Sequence, residues 1–155
     1  MEKSRREFLK GTAWMGAAAL VSGCMSEGMF ACGRGAPMWD FAVPPMRKVR
    51  VGCIGIGARG GAAVSRISQI PGIEIAALCD IRPEAVAKYR ELLVKRGKPS
   101  PREFVGAEAW RALCDWDGVD VVYVTTPWAL HAPMALGAMR AGRHALVEVP
   151  AAMTK

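Results

Sequence analysis

The sequence predicts an α/β fold in which a doubly wound parallel sheet occupies residues 47–155. Short, nearly unbroken runs of Val, Ile and Leu alternate with longer amphipathic stretches along this part of the chain. Strands of a parallel sheet are covered by helices on both faces, so they appear in a sequence as continuous apolar runs. A regular alternation of such runs with helical patterns is typical of this fold class.

Five strands and four helices are predicted in this order. The apolar runs indicate strands over residues 49–54, 73–80, 103–105, 119–125 and 144–149. The stretches between them indicate helices that end near residues 70, 96, 114 and 141. Pro83 suits the first turn of the second helix, and Gly97 and Gly142 suit the ends of the second and fourth.

Residues 1–24 are predicted to be an export signal. Arg5-Arg6, followed by Phe8-Leu9-Lys10, resembles a twin-arginine signal. The uncharged run over 11–23 is too short to cross a bilayer, which needs roughly 20 residues. A short apolar run behind a basic flank is instead typical of signal peptides. An ordinary basic amphipathic helix is the alternative. The signal interpretation predicts an exported, periplasmic protein.

The end of this segment also resembles a lipoprotein signal. Val21-Ser22-Gly23-Cys24 is similar to a lipobox, in which Cys24 would become the lipidated first residue of the mature chain. A lipid on Cys24 is the one membrane attachment that we expect. Residues 25–46 mix Gly, Pro, Met and Ser without a period, so we interpret them as a linker.

Charge and cysteine spacing argue against two other classes of function. The net charge is +7, from 21 Lys and Arg against 14 Asp and Glu. No basic run is longer than a pair, so the charge lacks the clustering that nucleic-acid binding requires. The five cysteines show no C-x-x-C spacing. We therefore expect no nucleic-acid partner, no metal site and no disulfide that matters to the fold.

Gly55, Gly57 and Gly60 form a G-x-G-x-x-G motif where the first strand should bend into the first helix. The first glycine permits a tight turn, the second leaves room for a pyrophosphate against the backbone, and the third lets the helix pack close to the strand. The free N–H groups and the dipole of the helix start favour an anion. The motif predicts a Rossmann-type dinucleotide site.

Asp80 ends the second strand, about 20 residues after the motif, where such sites carry an acidic residue. A carboxylate there accepts hydrogen bonds from the adenosine ribose hydroxyls and repels a 2′-phosphate, which favours NAD over NADP. Arg82, two residues on, weakens that preference. The alternative is that the glycines serve only tight turns and that Asp80 only caps a helix.

Two later motifs carry a family resemblance. The segment 125–131 reads Thr-Thr-Pro-Trp-Ala-Leu-His after the fourth strand, and Glu148-Val149-Pro150 follows the fifth. With the glycine motif and Asp80, they make residues 47–155 resemble the NAD-binding domain of the Gfo/Idh/MocA group of sugar enzymes. Within that group the chain most resembles glycoside hydrolase family 109, whose members are NAD-dependent α-N-acetylgalactosaminidases.

The resemblance implies a set of cofactor contacts. Taken residue by residue, they fall on Ala58, Arg59, Asp80, the segment from Trp128 to His131, Glu148 and Val149. Three of these have simpler interpretations as well. Trp128 could be a packing residue, His131 a hydrogen-bonding residue at a helix start, and Arg59 a solvated helix residue.

Val149 departs from the wider group, which usually carries a lysine at this position to assist proton transfer. Valine cannot move a proton, so the resemblance is to the hydrolase branch rather than to an ordinary dehydrogenase. The implied reaction is an oxidative cleavage. NAD held by the enzyme accepts a hydride from C3 of the sugar, the C1 substituent leaves by elimination, water adds, and the hydride returns.

Two other functions stay open at this point, a sugar oxidoreductase that keeps NAD(P) bound and a dinucleotide-binding module or inactive remnant without turnover. The resemblance implies that the sugar-binding domain and its general base lie beyond Lys155. We therefore expect a truncated enzyme with no catalytic residue among these 155 residues. Weak or absent NAD binding by residues 47–155 alone is expected as well, because the site would be half built.

Overall fold

The computed structural model describes residues 42–153. The predicted export signal, Cys24 with its lipobox, and most of the predicted linker lie outside the described residues. None of the helices in the described part is long and apolar enough to cross a membrane.

A five-stranded parallel sheet forms the centre of the described part. Its strands are β1 (Val49–Ile54), β2 (Ile73–Asp80), β3 (Arg102–Val105), β4 (Val121–Val124) and β5 (His144–Val147). They lie in the order β3-β2-β1-β4-β5, and each neighbouring pair is parallel. Because the strand order reverses at β1, a binding crevice is expected at the carboxyl ends of β1 and β4.

Helices cover both faces of the sheet. They are α1 (Ala58–Ile67), α2 (Pro83–Lys95), α3 (Ala109–Asp115) and α4 (His131–Arg140). Val64 of α1 and Leu93 of α2 are fully buried against one face, and Leu113 of α3 and Ala138 of α4 against the other. The predicted doubly wound α/β fold is therefore confirmed.

The fourth strand is shorter than predicted, since β4 covers Val121–Val124 rather than 119–125. Asp120 gives the physical reason. Its carboxylate accepts the backbone N–H of Arg50 at 2.8 Å, where a continued strand would offer a carbonyl. The backbone N–H of Asp120 still donates to the Arg50 carbonyl at 2.9 Å. A side chain thus completes the ladder at the start of β4.

Strand β5 and helix α1 also end before the predicted positions 149 and 70. The Glu148 N–H still bonds to β4 at 3.1 Å, but Pro150 has no N–H with which the ladder could continue. After Ser68 the N–H groups of Gln69 and Ile70 bond to carbonyls three residues back, as in a 3₁₀ turn. The helical path therefore tightens before it reaches the predicted end.

Three cysteines lie inside this fold as free, buried thiols: Cys53, Cys79 and Cys114. Burial raises the pKa of the Cys53 and Cys79 thiols to about 12 and that of Cys114 to about 11. A thiol reacts through its thiolate, so these side chains act as small apolar core residues.

Candidate functional site

The bend between β1 and α1 accepts only glycine at two of its positions. Gly55 has φ +82°, a value that residues other than glycine rarely adopt. Its N–H donates to the Cys79 carbonyl at 2.8 Å. A Cβ atom at Gly60 would overlap the Gly55 carbonyl oxygen and the Thr125 hydroxyl. The first and third glycines therefore fit the roles that the motif predicts, a tight turn and a close helix-to-strand approach.

Thr125, directly after β4, stabilises this bend by hydrogen bonds. Its hydroxyl is directed at the carbonyls of Gly55, at 2.5 Å, and Ile54, at 3.1 Å. Its backbone N–H donates to the Ile54 carbonyl at 2.9 Å. This role of Thr125 was not predicted, although a Thr directly after a buried strand is the signal that could have pointed to it.

Gly57 lies at the open side of the same bend. Among the described residues, only Arg82 Nη2 comes within 4 Å of a Cβ placed at Gly57, at 3.2 Å. Within residues 42–153, no side chain caps the first turn of α1, which follows directly. The unpaired N–H groups of that turn are therefore available to an anion, as at other dinucleotide sites.

Asp80 connects the end of β2 to this bend through hydrogen bonds. Its carboxylate accepts the backbone N–H of Ile56 at 2.9 Å. The same carboxylate accepts the backbone N–H of Arg82 at 3.0 Å and the guanidinium Nε–H of Arg82 at 3.1 Å. The Asp80 side chain is 6% exposed, whereas that of Arg82 is 51% exposed. The predicted ribose-binding carboxylate thus lies at the motif, with a cation beside it.

A cavity of about 810 Å³ opens where these features meet. Gly55 and Gly57 line it from the bend, Asp80 from the end of β2, and Thr126 from the segment after β4. Its volume is in the range of small-molecule and cofactor sites, and most of its walls are apolar. It lies at the carboxyl ends of the strands, where the strand order reverses, which is the expected place for a ligand.

The segment after β4 places two predicted contacts apart from this cavity. Trp128 begins a 3₁₀ turn over Trp128–Leu130 and is 58% exposed, so it is not a packing residue. His131 is buried, and its ring nitrogens lie 2.7 Å from the Thr126 carbonyl oxygen and 2.8 Å from that of Pro150. Neither side chain is among the described residues that line the cavity. Their contact with the cofactor stays a prediction.

Glu148 belongs to a polar cluster with Tyr123 and Arg59. The Tyr123 hydroxyl donates to Glu148 Oε1 at 2.5 Å, and Arg59 Nε lies 3.7 Å from Glu148 Oε2. Burial and the Glu148 carboxylate raise the pKa of Tyr123 to about 12, so the phenol keeps the proton that it donates. Tyr123 was missed in the sequence because its partner lies 25 positions away and comes near only in the fold.

The predicted residues therefore divide into groups. Gly55, Gly57 and Asp80 meet at the cavity, and Ala58 lines a smaller hollow beside it. Gly60 serves packing, and the exposed Val149 directly follows Glu148 in the chain. Among the described residues, no group of acidic, His and Cys side chains could hold a metal ion.

This arrangement fits a dinucleotide. It offers a glycine at the open position, an uncapped helix start for a diphosphate, and a carboxylate at the end of β2 for a ribose. The fit rests on the backbone and on the shape of the bend as much as on side chains.

Comparison with known proteins agrees with this description. The model of the Gfo/Idh/MocA oxidoreductase family, described by its NAD-binding Rossmann fold, matches residues 49–155. A solved structure of myo-inositol dehydrogenase from Lactobacillus casei, in complex with NAD(H) and myo-inositol, is similar over 69% of this chain and 30% of that chain. Its TM-score is 0.60 and its sequence identity 26%.

Curated relatives point to one branch of the family. A glycosyl hydrolase family 109 protein of Porphyromonas gingivalis is 51% identical over 116 residues, which are 74% of this chain and 25% of that protein. An alpha-N-acetylgalactosaminidase of Bacteroides fragilis is 42% identical over 113 residues, or 73% of this chain and 27% of that protein. The chain thus spans about a quarter of the length of these relatives.

Proposed function

This chain belongs to the Gfo/Idh/MocA oxidoreductase family, and from that premise we propose that it is the NAD-binding part of a family 109 glycosidase. Its cofactor is NAD. The proposed substrate is an α-linked N-acetylgalactosaminide. The observation that carries the proposal is that the glycine bend and Asp80 meet at one cavity, in a chain that is 42% identical over 113 residues to an alpha-N-acetylgalactosaminidase.

The residues of this chain bind and orient the cofactor. The uncapped start of α1 would hold the diphosphate, and Gly57 would let it approach the backbone. Asp80 would accept a hydrogen bond from the adenosine ribose. Tyr123 donates a hydrogen bond to the Glu148 carboxylate, and Arg59 places a positive charge 3.7 Å from it. When bound, NAD would accept a hydride from the sugar transiently, and the protein would set the orientation of the cofactor.

Val149 supports the glycosidase over an ordinary alcohol dehydrogenase. Its side chain is exposed directly after Glu148, where the wider group usually carries a lysine. Valine cannot take the proton of a hydroxyl that is being oxidised. A sugar oxidoreductase with tightly held NAD(P) is the second candidate, supported by the similarity to myo-inositol dehydrogenase.

A domain exchange tests the proposal. Residues 49–153 would replace the matching segment of the Bacteroides fragilis alpha-N-acetylgalactosaminidase, and cleavage of a chromogenic α-N-acetylgalactosaminide would be measured. We expect the hybrid to retain NAD and to cleave the substrate without net formation of NADH. The matched control is the same hybrid with Asp80→Asn. A folded hybrid that retains NAD but does not cleave would contradict the proposal, and steady NADH formation would favour the oxidoreductase.

The 155-residue chain by itself should behave differently. We expect no cleavage of the chromogenic substrate and an NAD dissociation constant in the millimolar range, because the chain spans about a quarter of the length of the relatives it matches. Micromolar binding, measured by calorimetric titration, would show that the isolated chain forms a more complete site than proposed.

We also propose that the protein is exported by the twin-arginine route and is periplasmic, with a lipid on Cys24. The support is the Arg5-Arg6 pair and the lipobox-like segment that ends at Cys24. Cell fractionation would test this with Arg5→Lys/Arg6→Lys and, separately, Cys24→Ser. We expect the first variant to stay in the cytoplasm and the second to leave the membrane fraction. An unchanged distribution of either variant would contradict the corresponding part.

A further inference from the structure

A group of exposed basic side chains lies at the amino ends of β1 and β2, at the opposite end of the sheet from the large cavity. The group comes from the residues before β1, from the ends of α1 and α2, and from the loop after α2. We call this surface the basic face, and its residues are Arg47, Lys48, Arg66, Lys95, Arg96 and Lys98. In the sequence these residues appear singly or as pairs, and the fold brings them together.

Contacts between the three contributing segments fix them beside one another. The Arg96 guanidinium donates to the Ser65 carbonyl at 3.0 Å, which joins the end of α2 to that of α1. Lys48, from the residues before β1, and Lys98, from the loop after α2, line the same hollow of about 190 Å³. Ser68, directly after α1, lines it as well. The basic residues therefore share one surface of the fold rather than being scattered over it.

Few carboxylates offset the charge of the basic face. Glu74 forms an ion pair with Lys48, and the carboxylate of Glu91 lies 3.8 Å from the Lys95 Nζ. The other four basic side chains form no ion pair within residues 42–153. The aspartates before β4, by contrast, are paired with arginines. Positive charge is thus in excess at the β1 and β2 side of this end of the sheet.

The dipoles of the helices explain only part of this excess. A helix dipole favours basic residues at the carboxyl end of any helix, which accounts for Arg66, Lys95 and Arg96. Arg47 and Lys48 lie before the first strand and outside any helix of the described part, so the dipoles do not account for them. The concentration of exposed positive charge therefore points to an anionic partner.

Two exposed aliphatic side chains accompany the basic residues. Met46, directly before Arg47, is 49% exposed, and Ile70, in the turn between α1 and β2, is 48% exposed. The Val49 N–H donates to the Gly72 carbonyl at 2.8 Å and so joins the segments that carry them. Bases of a nucleic acid stack on aromatic side chains, whereas aliphatic side chains beside basic ones suit the boundary between lipid headgroups and acyl chains. The chemistry favours a lipid surface over a nucleic acid.

We propose that the basic face binds the surface of an anionic bilayer, so that the cavity at the carboxyl ends of the strands opens away from the membrane. A Lys or Arg near such a surface strengthens binding by about fivefold. The basic face begins at residue 47, where the predicted linker from Cys24 ends. A lipid on Cys24 would hold the domain near the membrane, and the basic face would set its orientation. The proposal adds to that lipid and does not require it.

Binding to vesicles tests the proposal without the lipid. The 155-residue chain with Cys24→Ser would be mixed with vesicles of equal parts phosphatidylcholine and phosphatidylglycerol, and the bound fraction would be measured by sedimentation. Vesicles of phosphatidylcholine alone are the lipid control. We expect tighter binding to the anionic vesicles, weakening as salt is added, because added ions screen exposed charges. Residues 1–24 are the same in every variant, so differences between variants report on the basic face.

Charge variants compare the two ends of the sheet. Arg66→Gln/Lys98→Gln removes two charges that form no ion pair within the described part, and should weaken binding to the anionic vesicles about 25-fold, or about fivefold for each charge. The matched control, Lys88→Gln/Arg111→Gln, removes two exposed charges at the carboxyl end. It should change binding by less than about twofold, because charges farther than a Debye length from the bilayer are screened.

An apolar variant separates a lipid surface from other anionic partners. Met46→Gln/Ile70→Gln keeps every charge and should weaken vesicle binding about tenfold through lost contact with the acyl chains. It should leave the weaker, purely electrostatic binding of a DNA oligonucleotide unchanged.

Circular dichroism would confirm that each variant is folded. Equal vesicle binding by the two charge variants would overturn the proposal, as would equal binding of neutral and anionic vesicles by the Cys24→Ser chain. If the Met46→Gln/Ile70→Gln variant keeps full vesicle binding while DNA binds the chain more tightly than vesicles do, the partner is a nucleic acid and the lipid proposal is wrong.

Discussion

Two aspartates at opposite ends of the sheet make nearly the same hydrogen bonds. Asp120 lies before β4, at the amino end, and accepts the Arg50 backbone N–H at 2.8 Å and its guanidinium at 2.6 and 3.1 Å. Asp80 lies at the carboxyl end of β2 and accepts the Ile56 and Arg82 backbone N–H groups and the Arg82 guanidinium. Hydrogen bonding alone does not tell a structural aspartate from one at a binding site.

The surroundings of Asp80 and Asp120 distinguish the aspartate at a binding site from the structural one. The Arg50 partner of Asp120 belongs to the neighbouring strand, so the pair joins β1 to β4, and this contact lowers the pKa of the Asp120 carboxyl. The Arg82 partner of Asp80 is two residues away and half exposed beside a cavity. Ligands bind open parallel sheets at the carboxyl ends of strands. The same chemistry therefore serves strand pairing at one end and a ligand at the other.

The largest effect is expected at the bend that Asp80 holds. Gly60→Ala should lower the free energy of unfolding by about 3 kcal/mol or more, because the added methyl group overlaps backbone as well as the Thr125 side chain. Gly57→Ala, at the open position, is the matched control and should change stability by less than about 1 kcal/mol. Urea unfolding measures both. Equal losses of unfolding free energy would contradict the distinction between the tightly packed Gly60 and the open Gly57.

Asp120→Asn tests the structural role of the aspartate at the amino end of the sheet. It should lower the free energy of unfolding by about 2 kcal/mol through loss of charge-assisted hydrogen bonds to Arg50, and leave AMP binding unchanged. Since the pKa of Asp120 is lowered in the fold, its contribution is present above about pH 4 and is lost as pH falls through the lowered value. The variant should therefore lose less stability on acidification than the unaltered chain, and an identical acid profile would contradict this role.

Asp80→Asn tests the binding role of the aspartate at the carboxyl end of the sheet. The loss of unfolding free energy should be about 2 kcal/mol, as for Asp120→Asn, because Asp80 Oδ2 accepts the Ile56 N–H and Oδ1 the Arg82 N–H, and an amide oxygen can replace only one of them. Binding of AMP should also weaken about tenfold, through the lost charge-assisted bond to the ribose. Urea unfolding should thus show a loss of stability in both variants, whereas NMR titration should show a loss of binding in Asp80→Asn only. An equal change of AMP binding in the two variants would contradict the distinction between the two aspartates.

Tyr123→Phe should have the smallest effect, a loss of about 1 kcal/mol from the hydrogen bond to Glu148. The raised pKa of Tyr123, about 12, means that its contribution is complete below about pH 10 and is lost as pH rises toward 12. The unaltered chain should lose more stability than the variant between these pH values. Unfolding curves that fall equally would indicate that the phenol is not protected by Glu148.

The sequence predicted those parts of the molecule that depend on local order. The strands, the helices, the glycine bend and the place of Asp80 follow from apolar runs, turn residues and spacing, and the structure contains each of them. Element ends were less accurate. The start of β4 depends on the Asp120 side chain bonding to Arg50, a contact between positions 70 residues apart.

The remaining part of the site depends on such distant contacts. Thr125 reaches Gly55, and Tyr123 reaches Glu148, only because β4 lies between β1 and β5. His131 was predicted as a cofactor contact from the family resemblance, while its buried ring lies between two carbonyls. Spacing along the chain carries no information on which way a side chain turns at a helix start.

The most direct test of the central claim is an NMR titration of the ¹⁵N-labelled chain with NAD. We expect amide shifts at Gly55, Gly57 and Asp80, around the cavity at the carboxyl ends of the strands, with the amides of Arg50 and Asp120 unchanged. Shifts centred on the amino ends of the strands would contradict this prediction.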